Sequence, residues 1–372
     1  MRLQEIKKTR IVIASVLKPV DDTRMFEKLG QTLSEQAEVH IIGYASRAIV
    51  NHPSITFHSL QPFSRLSVSR VLSSWKVFRK IIHIKPDIAI ITTHELLAIG
   101  VISKILLSCK LMYDVQENYG RNILYTNAFP KFIRPFLAAY VRLKEWITSP
   151  FINHFLLAER GYEKELKFSG NKKTSIENKV RRVDTIVEKK NDGNIHLLFS
   201  GTLAETTGVF TAIELAGQLH KVNSSVRLTI MGYCSQQIAL EKIRKSINDK
   251  NFIQLVGGDY LIPHSEIIKA IQSSHFGIIA YAENKSIINS IPTKLYEYLG
   301  YQLPILMVDY KPWIEITKPY NASIPFDISN LNAGEMLSQM KNHSFYLSPP
   351  KDVFWESEGE KLKKIVFADK IT

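Results

Sequence analysis

One stretch of the sequence carries both a fold signal and a candidate binding site. It is Asn289-Ser-Ile-Pro-Thr-Lys-Leu-Tyr-Glu-Tyr-Leu-Gly-Tyr-Gln-Leu-Pro-Ile-Leu-Met-Val308. A polar loop leads into a helix whose first turn begins near Pro292, a position where proline is tolerated. Leu295 and Leu299 form the apolar stripe of that helix, and residues 305–308 are typical of a short buried strand. The stretch therefore predicts a loop, a helix and a strand in succession.

Two charged side chains of this helix form a candidate ligand site. Lys294 and Glu297 are three residues apart, so they lie on one face near the helix N-terminus. That end carries unpaired N–H groups and the positive end of the helix dipole, which favour a phosphate. A carboxylate one turn further in can accept hydrogen bonds from two adjacent hydroxyls, as on a ribose. An ordinary amphipathic helix with a surface Lys and Glu fits the same spacing.

The composition is that of a soluble globular protein, with 45% apolar and 22% charged residues in 372. This length favours two domains. Cys109 and Cys234 lie far apart in apolar contexts, so we expect buried thiols in a reducing compartment. Residues 1–10 are polar and residues 88–107 are interrupted by charged side chains, so we expect neither a secretory signal nor a membrane span.

The positive charge is concentrated in the first half of the chain. Residues 1–180 hold 27 Lys and Arg against 15 Asp and Glu, a net charge of +12 out of the total of +13. A basic domain favours an anionic partner, either a nucleic acid or an anionic membrane surface. No recognised DNA- or RNA-binding motif is present, so we expect no nucleic acid partner.

The order of predicted elements indicates an α/β protein with two doubly wound halves. Residues 10–17, 25–36 and 39–43 predict a strand, a helix and a strand, which implies a parallel sheet. A second such unit begins with the strand predicted at 195–199. The predicted boundaries are 1–180 for the first domain, 181–194 for the linker, 195–350 for the second domain and 351–372 for a closing helix.

Polar side chains follow several strands of the first half, at the sheet edge where ligands bind in open α/β folds. Carboxylates and a histidine gathered there could perform acid–base chemistry on an acceptor hydroxyl, although a histidine with satisfied hydrogen bonds explains His94 equally well. The acceptor-loop candidates are Asp21, Asp22 and Arg24, and the catalytic candidates are His94, Glu95 and Glu117. The first strand is not followed by the G-x-G-x-x-G fingerprint, which argues against a simple NAD enzyme.

Two segments of the basic half are typical of amphipathic helices that lie on anionic lipid. The first, 63–82, has no Asp or Glu and a predicted apolar stripe of Leu66, Val71, Trp75, Phe78 and Ile82. The second, 129–148, mixes basic and aromatic side chains. The candidate membrane-facing cations are Arg70, Lys76, Arg79, Lys80, Lys131 and Arg134. A helix that packs on the core and exposes a basic side fits the first segment as well.

The opening stretch resembles the nucleotide-sugar site of GT-B glycosyltransferases, family four in particular. In that family a Pro-x-Lys-x-x-Glu helix precedes a Gly and a Pro-Ile/Val strand. The resemblance implies that Glu297 binds the donor ribose and that Lys294, with its helix N-terminus, neutralises the diphosphate. Asn289 stands where the family usually has a Glu, which resembles a variant group among bacterial cell-surface polysaccharide transferases. It is the candidate contact to the donor sugar.

Other segments share the resemblance in part. The predicted donor contacts are Gly201, Thr202, Gly257, Tyr260, Pro292, Thr293, Lys294 and Glu297. The family usually has an Arg shortly after the glycine that corresponds to Gly201 and a Lys before a second glycine, here Gly208, whereas this chain has Thr202 and Thr207 at those two positions. Residues 113–117 resemble the family's Tyr-Asp-x-His-Glu segment, with Gln116 in place of the His.

The resemblance implies a GT-B fold, with two Rossmann-like domains, a cleft between them and a C-terminal helix that crosses back. It also implies a hexosyltransferase that moves a sugar from a nucleotide-diphosphate sugar to an acceptor hydroxyl, with retention of configuration. We expect a lipid-linked glycan as acceptor, polysaccharide biosynthesis as the context and the inner face of the plasma membrane as the location. No D-x-D pair and no His/Cys cluster occurs in the sequence, so we expect no metal and no cofactor besides the donor substrate. The alternatives are a sugar-nucleotide epimerase of the same fold and a non-catalytic protein that binds anionic membranes.

Overall fold

The computed structural model describes residues 8–45, 51–61, 69–126, 129–182, 188–281 and 290–368, with the backbone only for 69–71. The chain divides into two compact units. Unit 1 comprises Met1–Arg181, Ile288–Ser290 and Trp355–Thr372, and unit 2 comprises Arg182–Ile287 and Ile291–Phe354. Asn289, the side chain of Arg70 and part of the predicted linker lie outside the described residues.

Unit 1 contains a parallel sheet of seven strands in the order β3-β2-β1-β4-β5-β6-β7. The strands are β1 (Thr9–Pro19), β2 (Ala37–Tyr44), β3 (Ile55–Leu60), β4 (Ile88–Ile91), β5 (Lys110–Val115), β6 (His154–Leu157) and β7 (Lys173–Ser175). The helices are α1 (Gln31–Ser34), α2 (Ser69–Ile84), α3 (Leu97–Leu107), α4 (Tyr119–Tyr125), α5 (Arg134–Thr148) and α6 (Tyr162–Glu165), together with a π-helix at Thr23–Gly30 and 3₁₀ turns at His94–Leu96, Ser149–Phe151 and Lys167–Ser169.

Both faces of this sheet are covered, because alternate side chains of β1 point into different cores. Val12 and Ala14 pack with α2 and α3, whereas Ile11 and Ile13 pack with the π-helix and the C-terminal segment. The near-continuous apolar run of β1 reflects this double burial.

Unit 2 contains a parallel sheet of six strands in the order β10-β9-β8-β11-β12-β13. The strands are β8 (Ile195–Thr202), β9 (Val226–Tyr233), β10 (Ile253–Gly258), β11 (Phe276–Ile279), β12 (Ile305–Val308) and β13 (Ser323–Phe326). The helices are α7 (Val209–Val222), α8 (Gln237–Ile247), α9 (His264–Ser273), α10 (Thr293–Gly300), α11 (Lys311–Thr317) and α12 (Ala333–Asn342), with 3₁₀ turns at Glu205–Thr207, Lys318–Tyr320 and Ile328–Asn330. The predicted helix and strand of the opening stretch are confirmed as α10 and β12.

The last helix, α13 (Trp355–Val366), packs on unit 1 and so confirms the predicted return. The Trp355 indole Nε1 donates a hydrogen bond to Thr32 Oγ1 at 2.9 Å. Lys179 Nζ lies 2.8 Å from Glu358 Oε1, and both side chains are buried. These contacts attach α13 to unit 1 by a buried ion pair as well as by apolar packing.

Arg24, predicted to be in the acceptor loop, is instead a buried structural residue. Its Nη2 lies 2.6 Å from Asp114 Oδ1, and the two side chains are 4% and 0% exposed. Its Nη1 donates to the Ile176 carbonyl and to Asn178 Oδ1. The guanidinium has five donors in a planar fork, so one side chain can join the π-helix to β5 and to residues 176–178. This geometry argues against an acceptor contact by Arg24.

We expect Arg24→Ala to destabilise the protein by about 3–5 kcal/mol, because it leaves the Asp114 carboxylate buried without its charged partner. Urea unfolding followed by circular dichroism measures this loss. Arg79→Ala is the matched control on the exposed side of α2, with an expected change within about 0.5 kcal/mol. A loss below about 1 kcal/mol for Arg24→Ala would contradict the structural role of the pair.

Candidate functional site

Three neighbouring strands of unit 2 carry a glycine at their carboxyl ends, so the backbone there bears no side chains; we call Gly201, Gly232 and Gly257 the glycine floor. Gly201 of β8 is paired with Gly232 of β9, and Gly232 is paired with Gly257 of β10. A Cβ atom added to Gly232 would lie 1.7 Å from the carbonyl oxygen of Gly201, so only glycine fits there. Ligands of open α/β sheets bind at this edge. Two of these glycines were predicted donor contacts, and Gly232 was not.

Lys294 places a buried ammonium beside this floor. Its Nζ lies 4.2 Å from the centroid of the Phe199 ring and 5.1 Å from that of Tyr281. A Cβ atom on Gly201 would be 3.9 Å from the same Nζ. Within the part of the chain that the structure describes, Nζ has no hydrogen-bond partner. The cation is therefore held by aromatic faces and has no hydrogen-bonding ligand among the described residues.

Burial lowers the pKa of Lys294 to about 7, and the nearby carboxylate of Glu297 only partly opposes this effect. Near neutral pH the amine can therefore be either charged or neutral. An anion bound next to it would favour the charged form, so this position couples anion binding to proton uptake.

Glu297 is held by a histidine that the sequence interpretation did not single out. His264 Nε2 lies 3.1 Å from Glu297 Oε1, and the two side chains are 20% and 12% exposed. His264 is the first residue of α9, after the Pro263 N-cap. His264 could have been found from the sequence, because it lies at the start of a predicted helix that follows the carboxyl end of a strand. The pair fixes the orientation of one carboxylate oxygen.

Tyr298 fixes α10 to the sheet. Its hydroxyl lies 3.0 Å from Ser200 Oγ, and burial raises its pKa. A Cβ atom on Gly277 would be 2.5 Å from the Tyr298 ring, so a glycine in β11 makes room for the ring. Lys294 and Glu297 therefore project from a helix with a fixed position over the strand ends. Pro292 is the N-cap of this helix and Thr293 is its first residue.

The two threonines near the floor differ in their surroundings. Thr207 Oγ1 accepts a hydrogen bond from the Ala204 N–H at 3.1 Å and lies 2.7 Å from the Thr202 carbonyl oxygen. The Thr207 hydroxyl thus holds its own turn together and is not available to a diphosphate in this conformation. The side chain of Thr202 is exposed, and Tyr260 is 41% exposed on the loop after β10.

In unit 1 the predicted polar residues lie at the carboxyl ends of neighbouring strands β1, β4 and β5. His94 Nε2 lies 3.4 Å from Glu95 Oε1, and the His94 ring meets the Tyr119 ring edge-on at 4.8 Å. Glu117 accepts a hydrogen bond from Asn122 Nδ2 at 3.1 Å. The sheet therefore brings a histidine and two carboxylates to one edge, as the strand order requires.

A lysine that the sequence did not indicate joins this edge. Burial acts to lower the pKa of Lys18, but the surrounding acidic groups, with the Asp22 and Glu117 carboxylates foremost, together outweigh it and raise the pKa. Asp22 also accepts hydrogen bonds from the backbone N–H groups of Arg24 and Met25, so it caps the π-helix. Asp22 therefore serves the local fold, whatever else it contacts.

A groove of about 420 Å³ lies between α4 and α5 of unit 1. Its walls include Leu124, Tyr125 and Ala139. Two arginines also line it, and both are engaged, since Arg121 Nη1 lies 2.7 Å from Glu165 and Arg142 Nη1 lies 2.8 Å from Glu145. The groove consequently offers mainly carbon surface to a ligand.

Of the apolar stripe predicted for 63–82, Leu66 and the side chain of Val71 lie outside the described residues, and the other three members are not the side chains that pack most deeply on the core. The buried residues are instead Val77, Ile81 and Ile84, one or two turns apart, and Trp75 is 58% exposed. The predicted cations Lys76, Arg79, Lys80 and Lys131 are exposed, and Arg134 Nε donates to the Phe129 carbonyl. The helix therefore has a second apolar stripe on its outer side.

Neither a metal site nor a membrane-spanning helix is found in the described ranges. There, no three His, Cys, Asp or Glu side chains are grouped so that they could hold a metal ion. The helices of the same ranges are all too short or too polar to cross a bilayer.

We expect Lys294→Met to stabilise the ligand-free protein near neutral pH. The unfolded lysine binds a proton below about pH 10.4, whereas the folded one does so only below about 7. Stability is therefore lost as pH falls between these values, at about 1.4 kcal/mol per pH unit. The gain from Lys294→Met should be constant below pH 7 and should disappear towards pH 10, in urea unfolding followed across this range.

Lys269→Met, at an exposed position of α9, is the control and should show no such pH dependence. A destabilising effect of Lys294→Met that is equal at pH 7 and pH 10 would show that the ammonium is not strained by burial.

Comparisons with known proteins identify the architecture. No protein-family model and no curated protein matches the sequence. Among solved structures, sucrose-phosphate synthase from Thermosynechococcus elongatus matches with a TM-score of 0.73 at 10% identity, over 98% of this chain and 100% of that one. The catalytic domain of starch synthase IV from Arabidopsis thaliana, bound to ADP and acarbose, matches with a TM-score of 0.66 at 10% identity, over 98% and 100% of the two chains.

A third similar structure, from Listeria monocytogenes, is described as a UDP-N-acetylglucosamine 2-epimerase. It matches with a TM-score of 0.61 at 12% identity, over 98% of both chains. The TM-scores establish the fold, whereas sequence identities this low leave the chemistry open. With its two parallel sheets of seven and six strands and its returning helix, this chain has the GT-B fold of glycosyltransferases.

Proposed function

We propose that this protein is a glycosyltransferase that moves a sugar from a nucleotide-diphosphate sugar to an acceptor hydroxyl. The observation that carries the proposal is the buried Lys294 ammonium beside Gly201, which has no ligand among the described residues. An uncompensated buried cation is costly, and a bound diphosphate would compensate it. The starch synthase structure, which shares the fold, contains ADP.

In the proposed reaction the bond between the sugar C1 and the diphosphate oxygen breaks, and the electron pair leaves with the diphosphate. Lys294 and the N–H groups at the start of α10 stabilise that developing charge, which is the main catalytic contribution we assign to the protein. Glu297, oriented by His264, accepts hydrogen bonds from the two ribose hydroxyls. We propose that the loop that carries Tyr260 contacts the nucleotide base and that Asn289 contacts the donor sugar. No metal step is needed in this scheme.

The acceptor oxygen forms the new bond to C1 and loses its proton. We assign acceptor binding to unit 1, where His94, Glu95 and Glu117 gather at one sheet edge. The close pair of His94 and Glu95 can relay that proton to solvent. Transfer with retention of configuration and a hexose as the donor sugar are part of this proposal, on the basis of the family resemblance.

We further propose a lipid-linked glycan as the acceptor and polysaccharide biosynthesis at the inner face of the plasma membrane as the setting. The net charge of +12 in residues 1–180 favours an anionic surface. The groove between α4 and α5, with its mainly carbon walls, has the character of a site for the lipid part. Lys76, Arg79, Lys80 and Lys131 are exposed and would meet lipid headgroups.

The second candidate is a sugar-nucleotide epimerase, favoured by the third structural neighbour. An epimerase changes the donor alone and needs no acceptor. Incubation with UDP-N-acetylglucosamine, followed by chromatography of the sugar nucleotide, separates the two functions. We expect the configuration of the sugar to stay unchanged without acceptor, and an epimerised product would favour the second candidate.

A thermal-shift panel of UDP, GDP, dTDP, CMP and their sugars tests the proposed donor site. A nucleotide at 100 times its dissociation constant adds about 2.7 kcal/mol, worth about 2–4 °C in a protein of this size. We expect one base to be favoured and Glu297→Ala to lose that shift, because the ribose hydroxyls lose their acceptor. His264→Ala should lose part of it, since His264 only orients the carboxylate.

Glu266→Ala, an exposed position of α9, is the control and should keep the full shift. A nucleotide shift that persists in Glu297→Ala would refute the ribose role of Glu297. No shift with any nucleotide would refute the donor site as a whole and favour the non-catalytic alternative.

A further inference from the structure

The outer face of unit 1 carries large apolar side chains on neighbouring helices. We call outer face the exposed side of α3 and α5, with Ile102, Ile105 and Leu106 on α3 and Phe136, Leu143 and Trp146 on α5. These side chains are between 47% and 78% exposed. A helix on the surface of a soluble domain normally presents polar side chains outward, and clustered exposed apolar residues mark an interaction site.

The helices form one continuous layer. Helix α3 lies against α2 on one side and α5 on the other. The C-terminal end of α3 is fixed by two hydrogen bonds. Lys104 Nζ donates one to the Phe151 carbonyl at 2.7 Å and one to Asn153 Oδ1 at 2.8 Å. Leu72 and Trp75, on the outer side of α2, extend the apolar surface. The apolar side chains therefore belong to one surface of one unit.

The charge on this layer has a single sign. The described part of α2 and all of α3 contain no Asp or Glu. The only carboxylate of α5 is Glu145, which is buried and paired with Arg142. Basic residues surround the apolar side chains, among them Lys76, Arg79 and Lys144. A second copy of the same face would bring like charges together, so an isologous dimer is disfavoured.

We propose that α3 and α5 seat this outer face in an anionic lipid bilayer, with the apolar side chains among the acyl chains and the basic side chains at the headgroups. Aromatic, aliphatic and basic residues in this arrangement suit the membrane interface. The proposal rests on the membrane association within the proposed function, but not on the transfer reaction. It retains the second segment predicted from the sequence, which forms α5, adds α3, and leaves α2 out of the inserted elements.

Tryptophan fluorescence distinguishes insertion from surface adsorption. The protein has four tryptophans, of which Trp313 and Trp355 are 1% and 2% exposed, while Trp75 and Trp146 are 58% and 68% exposed. Phosphatidylglycerol vesicles with brominated acyl chains quench only tryptophans that reach the hydrocarbon. We expect quenching in the wild type and in Trp75→Phe, and loss of most of it in Trp146→Phe.

A second pair of variants tests the apolar contribution without a tryptophan. Leu106→Glu should weaken binding to phosphatidylglycerol vesicles at least about tenfold in flotation, because it places a charge at the acyl boundary. Val222→Glu, at an exposed position at the C-terminal end of α7 in unit 2, should bind as the wild type does. Circular dichroism verifies that each variant is folded.

Three results would overturn the proposal. Vesicle binding without acyl quenching of Trp146 would mean adsorption by charge alone. No vesicle binding, with folded protein, would mean that a soluble partner covers the face. Equal binding by Leu106→Glu and Val222→Glu would exclude the outer face. The nucleotide thermal shift, measured on the same preparations, shows separately whether the donor site holds or fails.

Discussion

The burial of one ammonium group organises the candidate site of unit 2. Lys294 has its Nζ over the Phe199 ring and next to Gly201, and the described residues offer it no hydrogen-bond acceptor. Taking a cation out of water without a partner destabilises the folded protein, so the arrangement makes physical sense when an anion is the missing partner. The pKa of Lys294 is lowered for the same reason, because burial disfavours the charged form of the amine.

The surrounding structure keeps that cation in place. The hydroxyl of Tyr298 contacts Ser200, and its ring occupies the space that Gly277 leaves open. The glycine floor removes side chains from the adjacent strand ends. Rigid placement before the ligand arrives is what electrostatic catalysis requires, because the protein then need not reorganise as charge develops.

Local sequence patterns predicted the fold well, because each depends on neighbouring residues. Strand β1, helix α10 and strand β12 follow directly from apolar periodicity and from proline and glycine punctuation. The partners of Arg24 could not be predicted this way, because Asp114 and Asn178 are 90 and 154 residues away. The hydrogen bond between His264 and Glu297 joins residues 33 positions apart, so local patterns could not predict it either. The exposure of Trp75 could not be predicted because it depends on which side of α2 packs against the sheet.

The contact between Lys294 and a bound diphosphate is tested most directly by the proton uptake that accompanies diphosphate binding. Titration calorimetry with UDP, GDP and ADP at pH 8, in two buffers of different ionisation enthalpy, measures it. Lys294 has a pKa of about 7 before binding, so it is mostly neutral at pH 8 and must be protonated as the anion binds. We predict an uptake of about one proton for the nucleotide that binds, and none for Lys294→Met. Binding without proton uptake, or equally tight binding by Lys294→Met, would contradict the assignment of Lys294 to the diphosphate.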